Sequence, residues 1–421
     1  MRRTIHFVRN FALIIILFVV LYSYAMFQGG FVSWFLFFGF LPIFLYHLGL
    51  LFYPIHRWKV SRSLSHQTIQ AGERMFITIE INRLIPFPLY YCVIEDDLPQ
   101  TLHKVDSHFE KYTFLKNPEK LFVERQMKKV IFPWFKKHIR LSYELTQIPR
   151  GEHQLQTIRI STGDVFGLIQ KEYQFQVKDK FLVFPNQWKV DYQHNIGSFQ
   201  HGSTSSHKWN ISHTNVAVSI REYTPGDKYS WIDWKQTAKK NTMMTKEFEQ
   251  EKDSETLIIL DGCRDETLNL LAFEGTIELV NSFIDVIGKN SPESSLLLVS
   301  QEVNQFQLST DVAKIDHVRY HLAQFKPASN RSFTVQIQER LSELKKRFVI
   351  ILVTTQLEDS LLHTIQQLKH QSHKIHVFMI EAKEHLTHSK MNTIRQLHYE
   401  GITVSVLTER ELTRNVIEVS V

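Results

Sequence analysis

Two apolar runs stand at the start of the chain, Phe11 to Phe27 and Phe31 to Tyr53, parted only by Gln28, Gly29 and Gly30. Nothing else constrains the fold as strongly. A helix rises about 1.5 Å per residue, so each run is long enough, or nearly so, to cross a hydrocarbon core of roughly 30 Å. Residues 1–58 are therefore expected to form a membrane anchor, a transmembrane helical hairpin. A cleaved signal peptide is the competing reading, since Arg2, Arg3 and Arg9 suit its basic start, but no A-x-A-like site follows and a second apolar run arrives at once. Arg2, Arg3 and Arg9 precede the hairpin and Arg57, Lys59 and Arg62 follow it, while its turn carries no basic residue. By the positive-inside rule both termini and the soluble body face the cytoplasm, as in a multi-pass protein of the cell membrane.

The rest of the chain falls into two patterns. From 60 to 190, short strand-like runs (75–81, 89–96, 120–125, 138–145 and 153–161) alternate with turns marked by Gly72, Pro86, Pro88, Pro99, Pro133, Pro149 and Gly151. That spacing predicts an all-β, immunoglobulin-like sandwich. The run MKKVIFPWFKKHIR at 127–140 reads as a plain hairpin with solvated lysines, a membrane-surface loop being the other possibility. Residues 191–220 read as a linker or loop, rich in Gly, Ser, His and Asn, and 221–255 as a segment of its own. From 256 to 415 nearly continuous apolar strands (257–261, 295–300, 304–309, 348–355, 374–380 and 402–407) alternate with helical stretches. Such strands need a parallel-dominated sheet covered on both faces, so a doubly wound α/β domain is expected. Ligands bind beyond the carboxyl ends of such strands, here Asp261 and Thr354 to Gln356.

Charge and cysteines narrow the partners. The net charge of +6 and pI near 9.0 are compatible with nucleic acid, but much of the excess lies beside the apolar runs and at Lys128, Lys129, Lys136, Lys137 and Arg140. Anionic lipid headgroups account for that placement at least as well, and no nucleic-acid partner is expected. The only cysteines, Cys92 and Cys263, lie in separate predicted domains and form neither a disulfide framework nor a C-x-x-C pair, which fits a reducing compartment.

The most distinctive segment is REYTPGDKYSWIDWKQTAK at 221–239, in which Arg221, Glu222, Asp227, Asp233, Lys235 and Lys239 are interleaved with Tyr223, Tyr229, Trp231 and Trp234. Aromatic side chains with a polar handle, set among charges, make an interface or a site. Next comes TKEFEQE, where the period of two puts Glu247, Glu249 and Glu251 on one strand face. The spacing R-E-Y-x-P-G-D, then I-D-W, then A-K, with the acidic residues after it, resembles the signature of the bacterial family catalogued as domain of unknown function 58. The stretch RGEHQLQTIRISTGDVFGL at 150–168 is similar to that family's strand before a D-P-F-G-L turn, here Asp164 to Leu168. The resemblance implies a C-terminal domain like von Willebrand factor type A, and association with MoxR-type AAA+ ATPases and transglutaminase-like membrane proteins.

The resemblance also raises the question of a metal. Metal-binding type A domains place D-x-S-x-S after the first strand; this chain has Asp261, Gly262, Cys263, Arg264 and Asp265. A thiol is a soft ligand and Arg264 brings positive charge, so magnesium is expected to bind weakly at Asp261 and Asp265 if it binds, and no cofactor is expected to be required. Phosphate-loop, dinucleotide, H-E-x-x-H and G-x-S-x-G motifs are absent from the sequence. Cys263 has no identifiable His or Asn partner, and His370, His373 and His376 read as solvated histidines at a helix end. The sequons at Asn210 and Asn330 carry no meaning in a cytoplasmic body.

Three uses remain for the signature residues Arg221, Glu222, Tyr223, Gly226, Asp227, Asp233, Trp234, Lys239, Glu247 and Glu249. They can form a structural ion-pair network, a surface that docks a protein partner, or an enzyme site. The expectation is a membrane-anchored, non-enzymatic scaffold or adaptor docking a partner such as a MoxR-type ATPase, in assembly or maturation of an envelope-associated complex. An enzyme acting through the charged 221–251 surface is the alternative.

Overall fold

The structure is a computed structural model describing residues 2–193, 216–224, 229–249, 255–264, 267–290, 294–328, 331–340, 349–357, 359–372 and 374–420. It divides into two units, Met1–Asn186 with Arg319–Phe325, and Gln187–Val318 with Lys326–Val421.

The first unit begins with two helices, α1 (Arg2–Gln28) and α2 (Phe31–Phe52). Gly29, at φ +63°, supplies the left-handed residue that reverses the chain between them. The Ser33 hydroxyl then donates to the Gly30 carbonyl (2.8 Å) and accepts from the Gly30 amide (3.2 Å). The segments Phe11–Gln28 and Phe31–Phe52 are long and apolar enough to cross a membrane. The helices pack through rings: Phe18 meets Phe44 edge-on at 5.5 Å and Phe37 at 5.6 Å.

Two sheets follow. Strands β1 (Lys59–Leu64), β3 (Met75–Asn82) and β6 (His138–Leu145) form an antiparallel sheet in the order β1-β3-β6. Strands β2 (Thr68–Gln70), β4 (Tyr91–Asp96), β5 (Met127–Ile131), β7 (Gly151–Gly163) and β8 (Gln170–Phe184) form a second, in the order β2-β8-β7-β4-β5, with only the β2–β8 pair parallel. Alternation decides which face is buried. Met75, Ile77, Ile79 and Ile81 of β3 and Ile94, Ile158 and Ile160 of β4 and β7 are fully buried in one apolar cluster, which Phe44, Leu50 and Leu51 of α2 join.

Arg62 bridges the two sheets inside this cluster. Its Nη2 and Nε donate to the two oxygens of Asp96 (2.5 and 3.1 Å), and Nη1 donates to the Val177 carbonyl (2.9 Å) and to Asp179 (3.2 Å). Tyr143 donates to Asp96 as well, at 2.6 Å. Burial, then the adjacent carboxylate, pushes the Tyr143 phenol far above its usual range, so it remains a donor.

The expected strand at 120–125 is instead a short 3-10 turn, Pro118–Leu121, followed by a single bridge between Lys104 and Phe122. Pro118 favours a helical first turn, and Phe122 and Val123 are half exposed, leaving no apolar face to bury. The run at 127–140 is not a hairpin, because β5 pairs with β4 in one sheet and β6 with β3 in the other. Its lysines are exposed, as expected. Strands β1 and β8 were missed; in β8 the apolar Phe175, Phe181 and Val183 are diluted by Gln, Lys and Asp.

In the second unit, β12 (Thr256–Asp261), β13 (Ser295–Val299), β14 (Val303–Gln307), β15 (Val349–Thr354), β16 (Lys374–Ile380) and β17 (Thr403–Leu407) form one sheet in the order β14-β13-β12-β15-β16-β17. All pairs are parallel except β13–β14. Helix α4 (Leu270–Asn290) covers one face, with Phe283 5.1 Å from Phe378. Helices α6 (Phe333–Arg340), α7 (Asp359–Gln371) and α8 (His388–Tyr399) cover the other through Phe333, Ile337, Leu361, Ile365, Ile394 and Leu397. Helix α5 (Val312–Gln324) follows β14.

Two further strands lie outside that sheet. β9 (Lys189–Gln193) pairs in parallel with β18 (Val416–Ser420), joining the first strand of the unit to its last. Trp188, just before β9, donates through its amide to Ser282 Oγ (2.8 Å) and through its indole to the Leu412 carbonyl (3.2 Å). Strands thus occupy 189–193 and 216–222 within or beside the stretch read as a linker; residues 194–215, including Asn210, lie outside the described residues, as does Asn330.

Candidate functional site

The signature folds into a strand, turn, helix and strand. β10 (Val216–Glu222) and β11 (Met244–Glu249) pair antiparallel, with a register shift between Ala217 and Ser219, and α3 (Trp234–Lys240) lies between them in sequence. The Asp233 carboxylate caps α3, accepting from the amides of Lys235 (3.0 Å) and Gln236 (3.1 Å). Thr237 locks the helix to β11: its hydroxyl donates to the Asp233 carbonyl (2.8 Å) and accepts from the Met244 amide (3.0 Å). The Asp233 amide in turn donates to the Met244 carbonyl at 2.9 Å. Asn241, at φ 54°, ends the helix in the left-handed conformation.

This arrangement sorts the side chains. Ile232, Met244 and Thr245 are buried. Trp234 is 67% exposed and Tyr229 75% exposed, and Lys235, Lys239 and Lys240 are exposed as well. Residues four apart share a helix face, so Trp234 lies with Ala238 and Lys235 with Lys239 in two adjacent rows. The outer surface of α3 is an aromatic ring flanked by cations on a backbone fixed at both ends.

The remaining predicted residues are spread around it. Arg221 Nη1 donates to Thr224 Oγ1 (2.9 Å) and the Glu222 carbonyl (3.1 Å), and Glu222 is exposed. Tyr223 donates its amide to the Met243 carbonyl (2.8 Å), and its ring stacks on Tyr229 at 6.1 Å. The backbones of Glu247 and Glu249 stand opposite Ser219 and Val216; Gly226, Asp227 and Glu251 lie outside the described residues. Thr237 and Asn241 were missed by the sequence reading. Their signal was the D-x-x-x-T spacing from the cap and an Asn placed just before a strand.

A second candidate lies at the carboxyl ends of β12 and β15. Asp261 Oδ1 accepts from the Cys263 amide (3.0 Å) and Oδ2 from the Thr354 hydroxyl (2.8 Å). The Gln336 amide donates to Cys263 Sγ at 3.4 Å, and Gln356 donates to Thr267 Oγ1 at 3.1 Å. Both oxygens of the one described carboxylate are thus engaged by protein donors and the neighbouring side chain is a soft thiol. Among the described residues that leaves one carboxylate, one hydroxyl and a soft thiol, fewer than the several oxygen ligands a hard divalent cation takes. Among the described residues no three His, Cys, Asp or Glu side chains are grouped to hold a metal, and Asp265 lies outside them.

His376 differs from expectation. It is fully buried in β16 rather than solvated at a helix end, with Nε2 2.9 Å from Ser405 Oγ and its ring stacked on Phe378 at 4.2 Å. Strand β16 is buried on both faces over nearly its whole length and carries His376 inward with it; His370 is exposed and His373 lies outside the described residues.

Comparison with known proteins places the signature in a family. Residues 219–415, from β10 onward, match the family described as "Protein of unknown function DUF58". The chain is 34% identical over 343 residues to "Uncharacterized protein YeaD" of Bacillus subtilis (strain 168), covering 81% of each. Two solved structures have some likeness to 30% of this chain. They are the alkylpurine DNA glycosylase AlkC of Pseudomonas fluorescens bound to abasic-site DNA (12% identity, 30% of that chain) and the CARDB domain of the PF1109 protein of Pyrococcus furiosus with di-metal ions (6%, 93%). At a TM-score of 0.18 each, neither bears on fold or function. With its 219–415 match and a relative aligned over four-fifths of its length, the chain belongs to the DUF58 family.

Proposed function

We propose that this protein is a membrane-anchored, non-enzymatic scaffold or adaptor that docks a protein partner through α3 and its flanking strands. The observation that carries the reading is the exposed Trp234 beside Lys235 and Lys239, on a helix whose backbone Asp233 and Thr237 hold in place. Exposed tryptophan is a costly surface residue and a common interface anchor, and a preformed backbone lowers the entropy lost on binding. The partner surface is acidic, to meet the lysines, with an apolar slot for the indole. A MoxR-type AAA+ ATPase is our first candidate and a transglutaminase-like membrane protein the second, in assembly or maturation of an envelope-associated complex.

The wider architecture in this proposal has three parts. The two apolar helices form a multi-pass anchor with both termini in the cytoplasm, supported by Arg57 and Lys59, exposed just after α2. The two sheets of the first unit form an immunoglobulin-like sandwich, supported by their shared apolar cluster. The six-stranded sheet is of the von Willebrand factor type A kind, supported by the parallel order with one antiparallel edge strand.

A photo-crosslinking amino acid at position 234 of the full chain, in native membranes, tests the docking role. Capture of an AAA+ ATPase, lost when Lys235 and Lys239 are both changed to Glu, supports it. If position 234 captures no protein while the chain is intact and membrane-bound, the scaffold reading fails and the enzyme alternative takes its place.

A further inference from the structure

The first unit presents an apolar collar around the end of α2. Three loops build it. Residues 83–90 reach α2 through Phe87, whose ring stacks on Tyr46 (5.6 Å) and Tyr53 (5.1 Å). Residues 132–137 are fastened to that loop by Arg83, which donates to the carbonyls of Phe87 (3.2 Å), Trp134 (2.8 Å) and Lys136 (2.7 Å). The turn at 164–168 reaches α2 through Asp164. Its Oδ2 pairs with Nε2 of His47 (3.2 Å) and accepts from the Phe166 amide (3.0 Å), while Oδ1 accepts from the Ile169 amide (2.6 Å). The Phe166 ring lies over His47 at 6.0 Å.

These side chains are held outward. Ile85, Trp134, Phe135, Val165, Phe166 and Leu168 are 45–67% exposed. Burying polar groups to hold apolar ones in water is an unusual expense for a fold, and an exposed contiguous patch of this kind marks a binding surface. What covers it follows from depth. His47 and Tyr46 lie five and six residues before Phe52, the last residue of the apolar span, so the loops touching them stand about 7–9 Å along the helix axis inside that span. The lysines at 136 and 137 are exposed on the same loop as Trp134 and Phe135. Indole rings and snorkelling lysines are the residues favoured at the boundary of headgroups and acyl chains.

We infer that the three loops enter the lipid interface, anionic headgroups meeting Lys136 and Lys137, and that the collar sets the orientation of the first unit on the membrane. The inference rests on α1 and α2 spanning a bilayer, as proposed above. In this arrangement Asp164 and Arg83 are positioning residues: each closes a loop by hydrogen bonds and leaves its apolar tips free to partition into lipid.

Electron paramagnetic resonance of the full chain in nanodiscs of phosphatidylethanolamine and phosphatidylglycerol tests this. Cys263→Ser leaves Cys92, which is buried, with its thiol pushed up to about 12 by desolvation, and so does not take the label. Single spin labels are then placed through Val165→Cys, Phe135→Cys, Phe38→Cys within the span and Arg395→Cys as an aqueous control. The expected result is an oxygen-to-nickel collision ratio at 165 and 135 above that of 395 and below that of 38. If 38 is in lipid while 165 and 135 match 395, the collar inference fails and the anchor stands. If 165 and 135 are shielded from both oxygen and nickel, a second copy or another protein covers them and the inference fails. If 38 itself is aqueous, the anchor fails and takes the collar with it.

Discussion

Arg62 and Asp96 form a doubly hydrogen-bonded ion pair, both side chains wholly out of solvent, joining β1 of one sheet to β4 of the other. Removing Arg62 leaves Asp96 buried without a counterion, and removing Asp96 leaves Arg62 with only the partly exposed Asp179. Arg62→Met or Asp96→Ala is expected to destabilise the first unit by about 3–5 kcal/mol. The double variant should lose less than the sum of the two, because no orphan charge remains. Thermal melting of the full chain in detergent checks both; additive losses would show that the pair is not coupled.

At α3, stability and binding should separate. Asp233→Ala removes the cap and is expected to cost about 1 kcal/mol of stability. Trp234→Ala touches an exposed ring and should alter melting by less than about 0.5 kcal/mol. Its effect belongs to association, where loss of an anchor costs about 2 kcal/mol or more. Melting curves beside partner capture resolve the two; a strongly destabilised Trp234→Ala would show that the indole packs on its own fold.

His376 makes the second unit sensitive to acid. Burial, with smaller contributions from Lys374 and His398, lowers its pKa to about 4 from an ordinary value near 6.5. Among the described residues its Nδ1 has no hydrogen-bond partner. The unfolded chain therefore takes up a proton at higher pH than the folded one. Stability is unaffected above about pH 6.5, falls as pH drops from there to about 4, and levels off below, a total of about 3 kcal/mol. His376→Gln should flatten that part of the profile in a denaturant titration at stepped pH. Identical slopes in variant and wild type would assign the acid sensitivity elsewhere.

Topology has a direct test. A reporter fused after Val421 should be active only when it folds in the cytoplasm, since basic residues lie on the outer sides of the two apolar spans, Phe11–Gln28 and Phe31–Phe52, and the turn between them has none. A reporter active only outside the cell would invert the arrangement.

What was legible in the sequence follows the strength of the local signal. The runs 257–261 and 374–380 are apolar almost throughout and could hardly be other than buried strands, and Asp233 ahead of Trp234 and Lys235 has the chemistry of a cap. β8 was missed because along Gln170–Lys180 only Phe175 is buried, among Lys, Gln, Glu and Asp, and the register shift between Leu155 and Thr157 in its partner breaks the pairing that periodicity assumes. The separation of β5 from β6 was hidden for another reason. Adjacent strands in sequence usually pair, and only long-range contacts such as Glu95 opposite Lys128 decide otherwise. The solvent exposure of Trp234 depends on the direction of a helix seven residues long, which spacing alone does not fix.

The pairing of β9 with β18 sets an order of events. During synthesis β9 leaves the ribosome first, and its partner is made only after every strand and helix of the α/β body. Until then β9 has an open edge and Trp188 lacks the Leu412 carbonyl that its indole needs. A half-made chain therefore carries an unpaired strand, the kind of edge that proteases and chaperones recognise, and its closure marks the second unit as finished.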